Sequence, residues 1–466
     1  MTLPHIKTTL TKHQKTAFNA SIKMRRYIVC IDTGGGKSLL GLALADELAI
    51  SRDKPAFVLC PKSAMVTWKN QIKEHTTFTF SENKIDLNKH INIVSYSRAS
   101  VLMTVPKEFC EVLLLDETHI LKSGKSKIGW LLRGKTGIMP RFYIAMGFTA
   151  SPLMNHLDDL YYLIESFFPG YFKGYNSFMD AFTIRRLRRI KRSHGLSHSF
   201  KEVIGYKNLD MLERVIKPVM FRHAINYDIR FDFKKVNLSQ PEGEAYKLAG
   251  KGILSENYRE FVARLPDLQQ VVNGSIVVGG CLNREPLLSS KEAKLMELLQ
   301  SIEKDGGGAI VFTNFLSTMK RFRHMQSRIK GMRCFHMSGD SDMFQRNRIA
   351  KELKPGCVLF STMVGGVSLN FQAVNNVIFY DIPWSVGAFC QCLGRVARMD
   401  STYPYVNAYI VIANGTIDEY KSQLMQSNLG AVKQVLGGFN FAEINFKKIR
   451  RRQIVALRRA LLWKMK

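Results

Sequence analysis

The segment from Tyr27 to Leu48, YIVCIDTGGGKSLLGLALADEL, constrains the fold more than any other part of the sequence. An apolar run is followed by three glycines, then by Lys37 and Ser38, and then by a helical pattern. This order predicts a buried strand, a loop whose backbone N–H groups approach a polyphosphate, and a helix with its positive N-terminal end at the loop. The strict phosphate-loop pattern has glycine where this chain has Ile31, and a glycine-rich helix entry without a ligand is the alternative.

A second informative segment is Val112 to Ile120, VLLLDETHI, in which an apolar run ends at two adjacent carboxylates. In an open parallel sheet, acids at the carboxyl end of a strand lie at the edge where ligands bind. With a phosphate loop upstream, Asp116 is predicted to coordinate Mg²⁺, and Glu117 to orient and deprotonate an attacking water. The alternative is a helix N-terminus, where Asp and Glu are also favoured.

Apolar strand-like runs alternate with helical patterns along much of the chain, as in parallel sheets that are buried on both faces. One series spans residues 27–148, and the pattern restarts at 308–413. The sequence therefore predicts an α/β protein of two units, separated by a less regular stretch from about 185 to 290. The predicted divisions are a first lobe at 1–225 with a basic insertion at about 183–207, a linker and start of the second lobe at 226–290, a second lobe at 291–435, and a basic tail helix at 436–466.

The charge balance indicates a polyanionic partner. The 466 residues include 68 Lys and Arg against 38 Asp and Glu, a formal net charge of +30, which favours nucleic acid first and an anionic membrane surface second. No apolar run reaches the roughly 18 residues that a membrane span needs, and the N-terminal residues lack the apolar core of a secretory signal. We therefore expect a cytoplasmic protein without a membrane partner. Its eight cysteines are scattered apart from Cys390 and Cys392, which predicts reduced thiols.

Ten segments, occurring in one order from about residue 10 to 420, resemble the motifs of superfamily-two helicases and translocases of the SWI/SNF-like branch. They are LTKHQKTAF, DTGGGKS, VLCPKSAMVTW, INIVSYS, DETH, GFTASPLMN, SSKEAKLMELL, IVFTNF, STMVGGVSLNF and QCLGRVARMD. Three more are typical of this branch: LKSGKSK, ASPLMNHLDDLYYLIESFFPGYF and NLDMLERVIKPVMFR. The acidic box reads DETH, with Thr118 where the family has alanine, and that position carries no catalytic carboxylate.

The resemblance implies two RecA-like P-loop lobes, each a parallel sheet flanked by helices, with ATP and Mg²⁺ in the cleft between them. Gln14 would read the adenine, and Ser38 and Asp116 would hold Mg²⁺. Glu117 would be the catalytic base. Gln391, Arg395 and Arg398 would come from the second lobe, where the arginines stabilise charge on the transferred phosphoryl group. The residues implied to cradle the phosphates are Thr33, Gly34, Gly35, Gly36, Lys37 and Ser38.

The resemblance also implies contacts with one nucleic-acid strand, made through hydroxyls and backbone N–H groups that carry no sequence information. Thr149 and Ser151 match the segment that couples the ATP site to the strand. The alternative for each Ser or Thr is a helix cap at a strand end. The residues that match the strand-gripping motifs are Pro61, Lys62, Ser63, Ser95, Ser361, Thr362 and Gly366.

Two basic segments lie outside the shared motifs. The first, between Arg185 and Lys201, has seven cations and no acid, and Gly195 sits where a hairpin could turn. We predict a basic hairpin or loop that contacts DNA through Arg188, Arg189, Lys191 and Arg192; a solvated basic helix is the alternative. The second, NFKKIRRRQIVALRRALLWKMK, has apolar residues at helical spacing and predicts an amphipathic basic helix. This tail could dock on the second lobe and bind DNA, bind a partner, or lie on an anionic membrane.

Taken with the compact length, the resemblance extends to small bacteriophage and bacterial helicases that act on branched DNA. It predicts an ATP-dependent DNA helicase or translocase, acting as a monomeric motor at forks or junctions in recombination, repair or replication. The cell would then be bacterial or phage-infected. An RNA-dependent ATPase is one alternative, because the motifs do not read the 2′-hydroxyl. A nucleic-acid clamp that uses ATP as a switch is another.

Overall fold

The computed structural model describes residues 3–122, 124, 126–134, 136–150, 157–191, 197–223, 228–254, 258–274, 288–363, 369, 371–384, 386–398, 401–423 and 425. These residues divide into two compact units, with the boundary between Ile225 and Asn226. Each unit is built on its own parallel sheet, so the predicted α/β class with two parallel-sheet lobes is confirmed.

The first unit contains a seven-stranded sheet in the order β3-β4-β2-β5-β6-β1-β9, with every neighbouring pair parallel. The strands of this sheet are β1 Arg26–Ile31, β2 Ala56–Cys60, β3 Phe80–Glu82, β4 Ile91–Ser95, β5 Val112–Leu115, β6 Ile144–Thr149 and β9 Met220–His223. Two further strands, β7 Thr183–Lys191 and β8 Ser197–Tyr206, form a separate hairpin. All residues of β2, β4, β5 and β6 are buried, which explains why these strands show no polar alternation in sequence.

Helices cover both faces of this sheet. In β1, Ile28 and Cys30 pack into one apolar core, whereas Val29 and Ile31 pack into another. Helix α2 is buried along nearly its whole length, which explains its apolar sequence on all sides. The helices of this unit are α1 Lys12–Ser21, α2 Lys37–Leu48, α3 Met65–His75, α4 Lys127–Leu132, α5 Leu157–Phe167, α6 Tyr175–Phe182 and α7 Leu209–Ile216.

The basic insertion is an antiparallel hairpin. Strands β7 and β8 pair from Thr183 with Tyr206 to Lys191 with Ser197, with a bulge between Ile184 and Arg185. The alternative of a basic helix is therefore wrong for these residues, because their backbone N–H and C=O groups pair across strands. Arg188, Arg189 and Lys191 belong to β7, whereas Arg192 lies outside the described residues.

The second unit contains a six-stranded sheet in the order β10-β15-β14-β11-β13-β12, again with parallel pairs. Its strands are β10 Asp228–Val236, β11 Ala309–Thr313, β12 Arg333–Met337, β13 Cys357–Thr362, β14 Asn376–Phe379 and β15 Tyr405–Ala413. Its helices are α8 Gln240–Leu254, α9 Tyr258–Val272, α10 Ser290–Lys304, α11 Leu316–Met325, α12 Met343–Glu352 and α13 Val386–Leu393.

The stretch from 185 to 290 is more regular than the sequence suggested. It holds the hairpin, α7, β9, β10, α8 and α9. β10 pairs with β15 over its full length, from Asp228 with Tyr405 to Val236 with Ala413. The prediction of an irregular stretch was wrong because β10 is an edge strand with exposed polar residues, and β9 has only four residues, so neither shows a continuous apolar run.

A buried polar network crosses the interior of the second unit. The Nζ atom of Lys291, on α10, lies 2.7 Å from Oδ2 of Asp418, and both side chains are fully buried. The same ammonium lies 4.8 Å from the centre of the Tyr380 ring. Asn273, the residue that follows α9, joins the pair to the strand ends, since its side chain accepts from Lys291 at 3.4 Å and donates to Asp381 at 3.1 Å. A buried ion pair of this kind depends on having both partners present.

Among the described residues, no helix is long and apolar enough to cross a bilayer. The seven cysteines in this part of the chain form no disulfide, Cys390 and Cys392 among them. The predicted basic tail helix at 436–466 lies outside the described residues.

Candidate active site

The glycine-rich loop connects the end of β1 to the start of α2. Gly34 and Gly36 have φ angles of 82° and 72°, a backbone region that side-chain-bearing residues rarely adopt. Gly36 is the residue that caps α2, and a Cβ atom there would lie 2.1 Å from Nε2 of Gln14. The positive φ angle therefore favours glycine at this position, and any side chain there would displace the Gln14 amide.

Side chains hold the carbonyl groups of this loop from several directions. The Lys37 ammonium donates to the carbonyls of Ile31 at 2.9 Å and Asp32 at 3.2 Å. Nε2 of Gln14 donates to the Gly36 carbonyl at 3.1 Å, while its Oε1 accepts from the Thr11 N–H at 2.8 Å. These bonds fix the side-chain amide of Gln14 beside the loop.

The acids follow β5 at the same edge of the sheet as the loop. The two Asp116 carboxylate oxygens accept hydrogen bonds from Nε1 of Trp68 and from the Glu117 N–H, each at 2.9 Å. The Tyr96 hydroxyl donates to the Asp116 carbonyl at 2.6 Å. Burial, and then the charge of Glu117, raise the pKa of Asp116 to about 6. A carboxylate kept in this buried place is suited to a cation.

The charges of Lys37, Asp116 and Glu117, at the carboxyl edge of the first sheet, act on one another. Burial lowers the pKa of the Lys37 ammonium, and the carboxylates of Glu117 and Asp116 oppose that shift. Glu117 itself has a φ angle of 51°, a strained region for a residue with a side chain, of the kind found at functional sites. Its Oε2 lies 3.1 Å from Nδ1 of His119.

The threonine of the DETH segment makes a contact that alanine could not. Its buried hydroxyl donates to the Phe148 carbonyl in β6 at 3.3 Å. Thr149, which was predicted to couple the ATP site to a nucleic-acid strand, is the next residue and ends β6. Ser151 lies outside the described residues. Thr118 thus connects the acidic segment directly to the strand that carries Thr149.

The predicted strand-gripping residues of the first unit lie at the same carboxyl edge, because all strands of the sheet are parallel. Pro61, Lys62 and Ser63 follow β2, and Ser95 ends β4. The Ser95 hydroxyl donates to Oδ1 of Asn83 at 3.0 Å, and it makes no capping hydrogen bond to the 3-10 helix Tyr96–Thr104 that follows. Lys62 is exposed.

In the second unit, Ser361 and Thr362 end β13 at the carboxyl edge, and both are buried. The Ser361 hydroxyl donates to the Thr362 carbonyl at 2.8 Å. Gly366 lies outside the described residues.

Gln391 lies in α13, and Arg395 and Arg398 follow that helix. Arg395 is nearly buried and donates to the Leu369 carbonyl at 3.4 Å. Proximity of these three residues to the glycine-rich loop stays a prediction.

Sequence reasoning missed Trp68, Tyr96 and the contact of Thr118. A contact of Trp68 with a polar group could have been predicted, since a buried indole N–H requires an acceptor and this tryptophan lies in one of the recognised motifs.

The residues present fit a nucleoside triphosphate with Mg²⁺. The loop leads into the N-terminal end of α2, whose first backbone N–H groups have no partner within the helix, and the Ser38 hydroxyl and Asp116 carboxylate are hard oxygen ligands. Across the described residues, no group of three or more His, Cys, Asp or Glu could hold a metal ion. Mg²⁺ is commonly bound by one or two protein oxygens together with phosphates and water, so this sparse donor set suits it.

The model of the SNF2-related domain matches residues 13–263, more than half of the chain. The chain belongs to the SNF2-related family. The model of the helicase conserved C-terminal domain matches residues 290–400 of this SNF2-related chain. The predicted membership of the SWI/SNF-like branch of superfamily two is thus confirmed.

Curated relatives of the SNF2-related chain are distant in sequence. The CHD3-type chromatin-remodeling factor PICKLE of Arabidopsis thaliana is 24% identical over 92% of this chain and 34% of its own length. The uncharacterized ATP-dependent helicase YqhH of Bacillus subtilis is 20% identical, over 88% of this chain and 76% of its own. The DNA repair and recombination protein RDH54 of Saccharomyces cerevisiae is 22% identical, over 85% and 50%. The chain spans about a third of the first of these relatives.

Proposed function

We propose that this SNF2-related chain is a nucleic-acid-dependent ATPase that moves along DNA as a helicase or translocase. The observation that carries the proposal is the arrangement of Lys37, Asp116 and Glu117 at one carboxyl edge of the first sheet, where their charges act on one another. This is the set of charges that phosphoryl transfer to water requires: a cation for the phosphates, a metal ligand and a base.

Each residue would have a distinct task. The loop N–H groups and the Lys37 ammonium would bind the phosphates, and Gln14 would bind the adenine. Ser38 and Asp116 would hold Mg²⁺, which would neutralise phosphate charge when bound. Glu117 would accept a proton from the attacking water. Arg395 and Arg398 of the second unit would stabilise the charge that develops on the phosphoryl oxygens.

Movement would follow from coupling this chemistry to strand contacts. Lys62, Ser63 and Ser95 share the sheet edge with the ATP site, and the Thr118 hydroxyl joins the acidic segment to the strand that ends at Thr149. A change at Glu117 would therefore reach the strand that carries Thr149, the predicted coupling residue, through one hydrogen bond. Ser361 and Thr362 would grip the same strand from the second unit, and alternating grip would produce steps.

The finer proposal is that the substrate is branched DNA, in recombination, repair or replication. Three observations support it: the net charge of +30, the basic hairpin of β7 and β8, and the similarity to a relative named for DNA repair and recombination. Charge alone gives affinity for any polyanion, so the hairpin is the feature that would distinguish a branch from a simple strand.

The first test compares ATP hydrolysis with single-stranded DNA, duplex, forked DNA, a four-way junction and RNA as cofactors. We expect DNA to raise turnover by about tenfold or more over the protein alone, a typical size for coupling between two sites, and a fork or junction to act best. Stimulation by RNA equal to that by DNA would instead identify an RNA-dependent ATPase. ATP binding without turnover in any mixture would identify a clamp.

The second test concerns the hairpin. Replacing Arg188, Arg189, Lys191 and Arg192 with alanine should reduce unwinding or migration of branched DNA by about tenfold, because phosphate contacts and their counterion release are lost. Hydrolysis stimulated by plain single strands should change by less than about twofold, since the strand-gripping motifs stay intact.

Its matched control removes four exposed lysines elsewhere on the first unit, namely Lys23, Lys73, Lys84 and Lys107. Both variants lose the same net charge. Equal losses of branched-DNA activity in the two variants, at one ionic strength, would reduce the hairpin to a source of general affinity.

A further inference from the structure

The last strand of the first sheet ends beside the glycine-rich loop. β9 is an edge strand that pairs with β1, and the register sets Arg222 opposite Cys30 and His223 opposite Ile31. The loop begins at the next residue, Asp32. The end of β9 is thus placed to contact the loop from the side.

An ion pair joins this strand end to the loop. Nη1 of Arg222 lies 2.8 Å from Oδ1 of Asp32, and the side chains are only 19% and 5% exposed. The same Nη1 donates to the His223 carbonyl at 3.2 Å and to Sγ of Cys30 at 3.5 Å. The guanidinium is therefore held in place by β1 and β9 while it faces the Asp32 carboxylate.

A second contact lies one residue further along. The His223 ring stacks on the His13 ring, with 4.5 Å between centroids and 3° between planes. Nε2 of His13 lies 3.0 Å from the Gly35 carbonyl, so the tautomer with a proton on Nε2 donates to the loop. The end of β9 consequently supports the loop at Asp32 directly and at Gly35 through His13.

The Asp32 carboxylate presents a problem for a phosphate-binding loop, because its charge opposes the ligand. That charge is felt inside the loop: burial lowers the pKa of Lys37, and Glu117, Asp116 and then Asp32 are among the groups that oppose the shift. A buried carboxylate without a cation beside it would repel a triphosphate bound at Lys37, and weak screening in the interior would make that repulsion large.

We propose that Arg222 is a positioning residue for nucleotide binding, which neutralises Asp32 and holds the loop in the form that accepts a triphosphate. The inference rests on the proposed function, since it requires a nucleotide at this loop. It assigns a role in that site to the strand that directly precedes the boundary between the two units.

The test is a charge cycle in the full chain, with affinity for a fluorescent ATP analogue and Mg²⁺ measured by anisotropy. Arg222→Met should weaken binding by about tenfold or more, because Asp32 loses the guanidinium that faces it. Asp32→Asn should bind within about threefold of wild type, since the repelling charge is gone. The double variant should also return to within about threefold, because neither charge remains.

Two further variants keep the test sharp. Arg222→Lys retains the cation and should bind within about threefold of wild type. Arg141→Met serves as a control, because it removes one positive charge from the opposite edge of the same sheet, where the strands begin. There Arg141 donates to the Val105 carbonyl at 2.6 Å. It should change affinity by less than about twofold. Thermal melting of each nucleotide-free protein reports whether it is folded. If the Arg222→Met protein is poorly folded, the inference is tested by the nucleotide affinities of Asp32→Asn and Arg222→Lys, which should both stay within about threefold of wild type.

Two results would overturn the inference while leaving the proposed function intact. One is wild-type affinity in Arg222→Met. The other is a double variant as weak as Arg222→Met, with Asp32→Asn and Arg222→Lys equally weak, which is the pattern of a contact that only maintains structure. A wild-type protein that binds no nucleotide would overturn the proposed function, and the inference with it.

Discussion

We expect the Glu117→Gln protein to bind ATP as wild type does and to lose about a hundredfold or more of its turnover. Glutamine keeps the length of the side chain and the backbone N–H that donates to Asp116, so the proposed Mg²⁺ ligands stay in place. What is lost is the Glu117 carboxylate, which is the proposed acceptor of the proton, whereas Asp116 is the proposed ligand of Mg²⁺. The measurement is ATP affinity and single-turnover hydrolysis on the same preparation, with saturating DNA.

Two comparisons define this result. Lys37→Ala should lose both affinity and turnover, because the ammonium that would bind the phosphates is gone. Glu108→Gln, at an exposed glutamate of the same unit, should leave both unchanged. Wild-type turnover in Glu117→Gln would remove the assignment of the base, whereas a parallel loss of ATP affinity would show that Glu117 serves binding.

The second large effect is expected in the second unit. Lys291→Met should lower the free energy of unfolding of the second unit by about 3–5 kcal/mol, because the buried Asp418 carboxylate loses its cation. Asp418 also accepts hydrogen bonds from Gln269 and from the Ala413 N–H. These neutral donors remain in the variant, and so does the buried Lys421 ammonium, whose charge acts on Asp418 without an ion-pair contact. What the variant removes is the cation in direct contact with the carboxylate.

Lys294→Met on the same helix is the matched control. Lys294 pairs with Glu297 at 2.8 Å, but this pair is partly exposed and should contribute less than about 1 kcal/mol. Hydrogen exchange in β11 and β13 during urea unfolding isolates the second unit from the first. Adding Asp418→Asn to Lys291→Met should recover part of the loss, and a double variant less stable than Lys291→Met would argue against the charge mechanism.

The glycine-rich loop could be predicted from the sequence because its whole context is local. The strand, the glycines and the helix that carries Lys37 follow one another within Tyr27 to Leu48, and chain order alone dictates their arrangement. The position of Asp116 could be predicted for a similar reason, since the carboxyl ends of parallel strands share one edge of the sheet. The assembly of these residues follows from topology, without knowledge of any side-chain contact.

The supports of the site could not be predicted in this way. Trp68 reaches Asp116 across 48 positions of sequence, and Arg222 reaches Cys30 across 192. Such contacts depend on which strands become neighbours, and β9 is too short to be recognised in the sequence by an apolar pattern. For the basic segment between Arg185 and Lys201, the sequence could not exclude a helix as the alternative to a hairpin. A run of cations has no apolar periodicity that distinguishes the two.

The hydrogen bond from Trp68 to Asp116 gives the first unit a built-in optical reporter. An indole emits at a wavelength that depends on the electric field around its ring, and this one is almost fully buried with its N–H fixed on a carboxylate. Trp130, the other tryptophan of this unit, is 71% exposed, so aqueous quenchers can suppress its emission selectively. Once Trp384 and Trp463 are replaced, the protein would carry a spectroscopic signal tied to the protonation or occupation of one carboxylate, which extrinsic dyes at the surface would not provide.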